Sequence, residues 1–143
     1  MENKNYRRAA CLSSNETITM QEIQTDDAPG SIGPYSQGIR DGDTIYVSGQ
    51  GPVDPETGDI VGDDAGEQTA RTMENIGAVL EAAGSSLDNV VKATVFVRDM
   101  DNYAAVNEVY AEYLSEPFPA RSAVEVSNLP IDIMVEIEVI ATV

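Results

Sequence analysis

Three stretches alternate apolar and polar side chains with the period of a half-buried strand. Over 44–50, Ile45 and Val47 point one way while Thr44, Tyr46 and Ser48 point the other. Val90 to Arg98 is the most β-branched segment and predicts a central strand, in which Val91, Ala93, Val95 and Val97 oppose Lys92, Thr94, Phe96 and Arg98. Near the C-terminus, over 133–143, Ile133, Val135, Ile137 and Val139 form one face, and Met134, Glu136, Glu138 and Ile140 the other. Weaker alternation predicts an edge strand over 18–24 and a further strand over 121–126. A helical period takes over twice. Thr69, Met73, Ile76, Leu80 and Ala83 share a helix face, with Asp64 and Glu67 placed to cap its start and Gly84 to end it. A second helix begins at Asp101, turns Tyr103, Val106, Tyr110 and Tyr113 or Leu114 inward, and stops before Pro117. At this spacing the tyrosines read as core.

The connections carry their own signals. Asp27 to Gly38 is a loop rich in Gly and Pro, and its glycines do not match a phosphate-binding fingerprint. A loop of this length is more often functional than idle, and it presents Tyr35. Asp41-Gly42-Asp43 marks a hairpin, and Asp54 to Asp59 reads as a β-turn because it lacks the ligand order of a calcium loop. Three strands, a helix, a strand, a helix and two strands give an α+β domain whose helices cover one sheet face. The alternation places Tyr46, Ser48, Thr94, Phe96, Arg121, Glu136 and Ile140 on the other face. A mixed apolar and polar face suits burial against another copy of the chain, with clefts at the seams.

Composition narrows the class. At 143 residues and 42% hydrophobic, the chain holds one core and not two. Residues 1–19 sustain no apolar period and read as a disordered N-terminal extension to a single domain over 20–143. No run approaches the roughly 20 apolar residues of a membrane span, and Arg7-Arg8 and Ala9-Ala10-Cys11 lack the apolar stretch that export signals need. A cytoplasmic protein is expected. One cysteine and no histidine exclude an internal disulfide and an ordinary zinc site. Twenty-five acidic against eight basic residues leave a net charge of −17, which opposes binding to nucleic acid and to anionic membranes. Residues 20–143 carry 23 acidic and five basic side chains, a net −18. This surplus and the shortage of lysine suit a salty cytoplasm, where screening relieves self-repulsion.

In so acidic a chain each cation stands out. Past Met20 only Arg40, Arg71, Lys92, Arg98 and Arg121 remain. Arg121 is the last of them, and Glu136 follows at a strand position off the main core. An arginine fork can hold a small carboxylate while a carboxylate moves a proton.

Six motifs widen the view. Gly33-Pro34-Tyr35-Ser36-Gln37, Tyr46 to Gln50, Asp54 to Gly58, Asn89 to Phe96, Val106 to Tyr110 and Pro119-Ala120-Arg121-Ser122 occur in this order between Met20 and Val143. As a set they resemble the reactive intermediate deaminase (RidA) family, also called YjgF/YER057c/UK114. The resemblance implies a chorismate-mutase-like α+β fold, with a mixed sheet of about six strands and two helices packed on one face. It implies a homotrimer with sites between subunits. The implied reaction is hydrolysis of 2-imino acids, of the 2-iminopropionate and 2-iminobutyrate type, to 2-oxo acids and ammonia, with no metal or organic cofactor. By position, Arg121 would bind the substrate carboxylate and Glu136 would orient or deprotonate the attacking water. Tyr35, Ser48 and Asn107 would line the pocket, and the backbone of Gly49 and Ala123 would add polar contacts. Ala123 stands where many members have cysteine, and Ile131-Asp132 where a lysine is common. The competing readings are a noncatalytic module that binds a 2-oxo acid in the same cleft and an acidic, chaperone-like trimer.

Overall fold

A computed structural model describes residues 20–143. The expected disordered extension over 1–19, and the start of the strand expected from Ile18, lie outside the described residues. Among the described residues, six strands and two α-helices follow one another: β1 (Met20–Ile23), β2 (Gly38–Asp41), β3 (Thr44–Gln50), α1 (Ala65–Ala82), β4 (Val90–Val97), α2 (Tyr103–Glu112), β5 (Ala120–Glu125) and β6 (Val135–Thr142). They form one mixed sheet in the order β1-β2-β3-β6-β4-β5. Only β4 and β5 run parallel, joined by the crossover through α2 that a parallel pair requires. Among the described residues no helix is long and apolar enough to cross a membrane.

The core lies between the sheet and α1, which packs across β3 and β6 and against α2. Ile45 and Val47 of β3, Val95 and Val97 of β4 and Val135, Ile137 and Val139 of β6 are all buried, as are Met73, Ile76, Val79 and Leu80 of α1. Each such side chain stabilises the fold by about 1.5–3 kcal/mol relative to exposure. A one-residue slip of β6 would exchange Val135, Ile137 and Val139 for Glu136 and Glu138, so the register of this central strand is strongly specified.

Asp64 caps α1 by accepting from the Glu67 amide at 2.8 Å, and Glu67 accepts in return from the amide of Asp63, one residue before the expected partner. The helix closes in a Schellman turn: the Ser85 amide donates to the Leu80 carbonyl and Gly84 takes φ +81°. Asn75, fully buried in α1, donates to the carbonyls of Gly51 and Val53 and so ties the chain leaving β3 to the helix.

Two expectations are corrected. Val91 is 48% exposed because β4 carries an extra residue between Val90 and Lys92 against consecutive residues of β6, which turns Val90 inward instead. The second helix is also reached later: Met100–Asn102 form a 3₁₀ turn, and the side chain accepting from the Asp101 amide belongs to Asp99.

A candidate active site in two halves

The first half is built on β3 and β6. From Val47 to Gln50, β3 advances three residues while β6 advances two, from Val139 to Ile137. This bulge sets Ser48 and Gly49 together against Glu138 and opens the backbone beside Glu136. A Cβ at Gly49 would stand 2.9 Å from the Glu136 carboxyl carbon, so the carboxyl lies against bare backbone and no larger residue fits without displacing it. The Ser48 amide donates to the Gln37 carbonyl at 3.0 Å, and its hydroxyl donates to the Ser36 carbonyl at 2.6 Å. The Ser48 oxygen keeps its acceptor capacity for a ligand.

Gln37 organises the loop that carries Tyr35. This buried amide accepts from the Thr25 amide and donates toward the carbonyls of Thr25, Ala28 and Pro29, at distances between 2.8 and 3.2 Å. Tyr35 stays half exposed, its hydroxyl accepting from the Ile32 amide at 3.2 Å. Tyr35, Ser48, Gly49 and Glu136 face a cleft of about 650 Å³, with Ile131 and Ile133 as an apolar wall. Burial first, and then the negative charge of Glu138, push the Glu136 carboxyl above the usual carboxylate range. Among the described residues no cluster of three or more histidine, cysteine or acidic side chains is arranged to hold a metal ion.

The second half lies at the β5 edge of the sheet. Arg121 is paired with Ala93, which is 1% exposed and faces the helices, and Ala123 is paired with the equally buried Val95. Arg121 therefore points toward α2, where it donates from Nη2 to the Tyr103 hydroxyl at 2.8 Å. Its guanidinium carbon stands 4.9 Å from the Tyr110 ring centroid and 5.5 Å from that of Tyr103. Such cation–π contacts contribute about 0.5–2 kcal/mol each, depending on desolvation. Among the described residues, no carboxylate forms an ion pair with Arg121. In a chain with 25 acidic residues, its fork is open to an outside anion.

Asn107 occupies the same helical stripe, four residues after Tyr103 and three before Tyr110. Its Oδ1 and the Tyr110 hydroxyl are both buried without a hydrogen-bond partner. Burial raises the Tyr110 hydroxyl above its ordinary pKa, while Arg121 acts in the opposite direction.

The placement of Arg121 beside Glu136 on the open face is thus corrected. In register, Glu136 lies level with Phe96 and Val124, while Arg121 lies level with Ala93 and Val139. The two are separated by two strand spacings of about 4.8 Å, by three residues of about 3.3 Å, and by the thickness of the sheet. No small molecule bridges them within one chain. Tyr35, Ser48, Gly49 and Glu136 gather in one half, and Asn107, Arg121 and Ala123 in the other.

Residues 25–143 match the family model described as endoribonuclease L-PSP. The chain belongs to the RidA family. A RutC family protein of Pyrococcus abyssi is 57% identical over 124 residues, covering 87% of this chain and 98% of its own length. The 2-iminobutanoate/2-iminopropanoate deaminase of Escherichia coli is 47% identical over 122 residues, covering 83% of this chain and 94% of that enzyme. A crystal structure of the Escherichia coli protein TdcF with bound serine superposes with a TM-score of 0.81 at 41% identity, over 86% of this chain and 98% of that one. The expected family fold, a six-stranded mixed sheet with two helices on one face, is the one observed. Sequence reasoning did not single out three residues that order the two halves: Gln37, Tyr103 and Tyr110. A glutamine in a loop of glycine and proline carries no periodic signal. The spacing of the tyrosines fits an apolar stripe: Tyr110 does lie in the core, whereas Tyr103 stays partly exposed.

Proposed function

We propose that the chain hydrolyses 2-imino acids to 2-oxo acids and ammonia, at a composite site where Arg121 of one copy faces the Glu136 cleft of another. The observation that carries this reading is the separation of the two halves, each chemically incomplete. One holds an unpaired guanidinium fork without a base. The other holds a raised carboxyl in a cleft without a cation. The open sheet face supplies the means of joining them, since Tyr46 and Val124 remain 46% and 41% exposed. An exposed apolar face of this kind fits burial in a homo-oligomer, which we take to be a trimer.

The geometry suits the chemistry. The Arg121 fork binds the carboxylate of R–C(=NH₂⁺)–COO⁻ and fixes the adjacent electrophilic carbon. Water adds to that carbon as Glu136 takes its proton. The same proton returns to the nitrogen of the resulting carbinolamine, the C–N bond breaks to release ammonia, and the hydroxyl proton passes to Glu136 as the C=O bond forms and leaves with ammonia as ammonium. A carboxylate whose pKa is raised above the usual range is the stronger base, so it takes the proton of the attacking water more readily than an ordinary glutamate does, and as a carboxylic acid it remains able to return it. Two comparisons support a small amino-acid-derived substrate, namely the deaminase activity named for the Escherichia coli relative and the serine bound to TdcF. A net charge of −17 sits poorly with RNA, whose affinity for proteins rests on phosphate neutralisation.

Mixing Arg121→Ala with Glu136→Gln tests the reading directly. Each variant alone should leave 2-iminopropionate, generated in situ, to decay at its spontaneous rate. Subunit exchange between the two should restore roughly a quarter or more of wild-type turnover, through sites that draw both intact halves from different copies. Failure of every mixture to recover, with exchange verified by mass, would reject a site shared between copies.

A further inference from the structure

Among the described residues, Arg121 is held by aromatic side chains alone, and the two that hold it are not equivalent. Tyr110 is 6% exposed and its hydroxyl has no partner, so its contribution is the ring face beneath the guanidinium. Tyr103 is partly exposed at the start of α2, and its hydroxyl meets Arg121 Nη2 at 2.8 Å. We infer that Tyr103 is a positioning residue for the Arg121 fork, taking one Nη2 hydrogen so that the remaining N–H groups turn outward to meet a substrate carboxylate. The inference deepens the carboxylate-anchor reading of Arg121 given above and rests on it.

The physical reason is the flexibility of the side chain. An arginine on an edge strand with no acidic partner samples many rotamers, and a carboxylate that grips it must freeze them. The contact with Tyr110 keeps the guanidinium over the ring but leaves it free to slide and to turn there. A single directed hydrogen bond from Nη2 removes that freedom before the ligand arrives. Because the fork grips the carboxylate in both ground and transition states, loosening it weakens binding rather than the chemical step.

Tyr103→Phe removes the hydroxyl and keeps the ring. Its control is Tyr113→Phe, the same deletion just past the end of α2, where the hydroxyl donates to Glu74 at 3.1 Å, away from both halves of the site. The measurements are steady-state kinetics on 2-iminopropionate and calorimetric binding of pyruvate, both on the full chain. Tyr103→Phe should raise KM and the pyruvate Kd about ten-fold, the loss of one charge-assisted hydrogen bond, with kcat changed less than about two-fold. Tyr113→Phe should leave all three unchanged. The Arg121 side-chain ¹⁵Nη resonances should interchange slowly in the unsubstituted protein and in Tyr113→Phe, and should coalesce in Tyr103→Phe alone.

An unchanged KM and Kd in Tyr103→Phe overturns the inference, and so does an equal rise in Tyr113→Phe or a loss confined to kcat. If the unsubstituted chain shows no turnover but Tyr103→Phe weakens pyruvate binding ten-fold, positioning stands and the deaminase reading falls. If the unsubstituted chain binds no pyruvate, the inference falls with the carboxylate anchor.

Discussion

The two halves of the site are made of different material. Around Glu136 the geometry is set by backbone: a bulge in β3, a glycine that leaves no room for a Cβ, and a carbonyl that accepts the Ser48 hydroxyl. Around Arg121 it is set by side chains, with two tyrosine rings and one hydroxyl projecting from α2 to an edge strand. Backbone geometry tolerates little, since altering it shifts β3 against β6 at the centre of the sheet. Side-chain geometry can be adjusted one group at a time. The half built around Glu136 is thus the rigid one, and the half built around Arg121 is the tunable one.

The sharpest way to break this comparison is to remove the grip. Arg121→Ala should lower kcat/KM at least a hundred-fold. Arg121→Lys should do nearly as badly, because an ammonium keeps the charge but neither forks to a carboxylate nor stacks on Tyr110 in the same plane. Steady-state kinetics decide it, and lysine activity near wild type would show that charge alone suffices. The rigid half is probed by Gly49→Ala. With the new Cβ 2.9 Å from the Glu136 carboxyl carbon, the carboxyl must move. The expected loss is about ten- to a hundred-fold in kcat with KM within about three-fold, the reverse of the Tyr103→Phe signature.

A smaller effect follows from the raised carboxyl. Rates should climb with pH to a midpoint above the usual carboxylate range, and Glu138→Gln should bring that midpoint down without abolishing the shift, since burial is its larger cause. The same asymmetry affects stability. Glu136 binds its proton more tightly in the folded chain than in the unfolded one. Its ionisation therefore erodes stability as pH rises from the ordinary carboxylate value through the folded one. Glu136→Gln should accordingly raise Tm by about 2 °C at pH 8 and by nothing near pH 3, as thermal unfolding at the two pH values would report.

The sheet was legible where one face is apolar and the other is not. Val135, Ile137 and Val139 against Glu136 and Glu138 could be read in only one way, and the helix stripe Thr69, Met73, Ile76, Leu80 proved buried throughout. Arg121 was misplaced because β5 inverts that rule: its helix-facing positions hold Arg121 and Ala123, while Val124 looks outward. Alternation reveals that neighbouring residues point oppositely, not which direction is inside, and an arginine stacked on tyrosines occupies a place the pattern reserves for an aliphatic. The motif resemblance nevertheless points to Tyr35, Ser48, Gly49 and Glu136 in one half and to Asn107, Arg121 and Ala123 in the other. Their division into two groups was not legible, because it depends on the insertion of β6 between β3 and β4, a sheet order that local sequence does not encode.

The four hydrogen bonds of the Gln37 side chain end at Thr25, Ala28 and Pro29. They divide the loop before β2 into a stem fastened to the sheet and a tip, residues 30–34, that makes none of them. Changes in chain length are therefore absorbed at the tip, while the stem keeps β2 in register. The mouth of the cleft can be widened, narrowed or re-edged there by insertion and deletion, with the chemistry beneath left as it is.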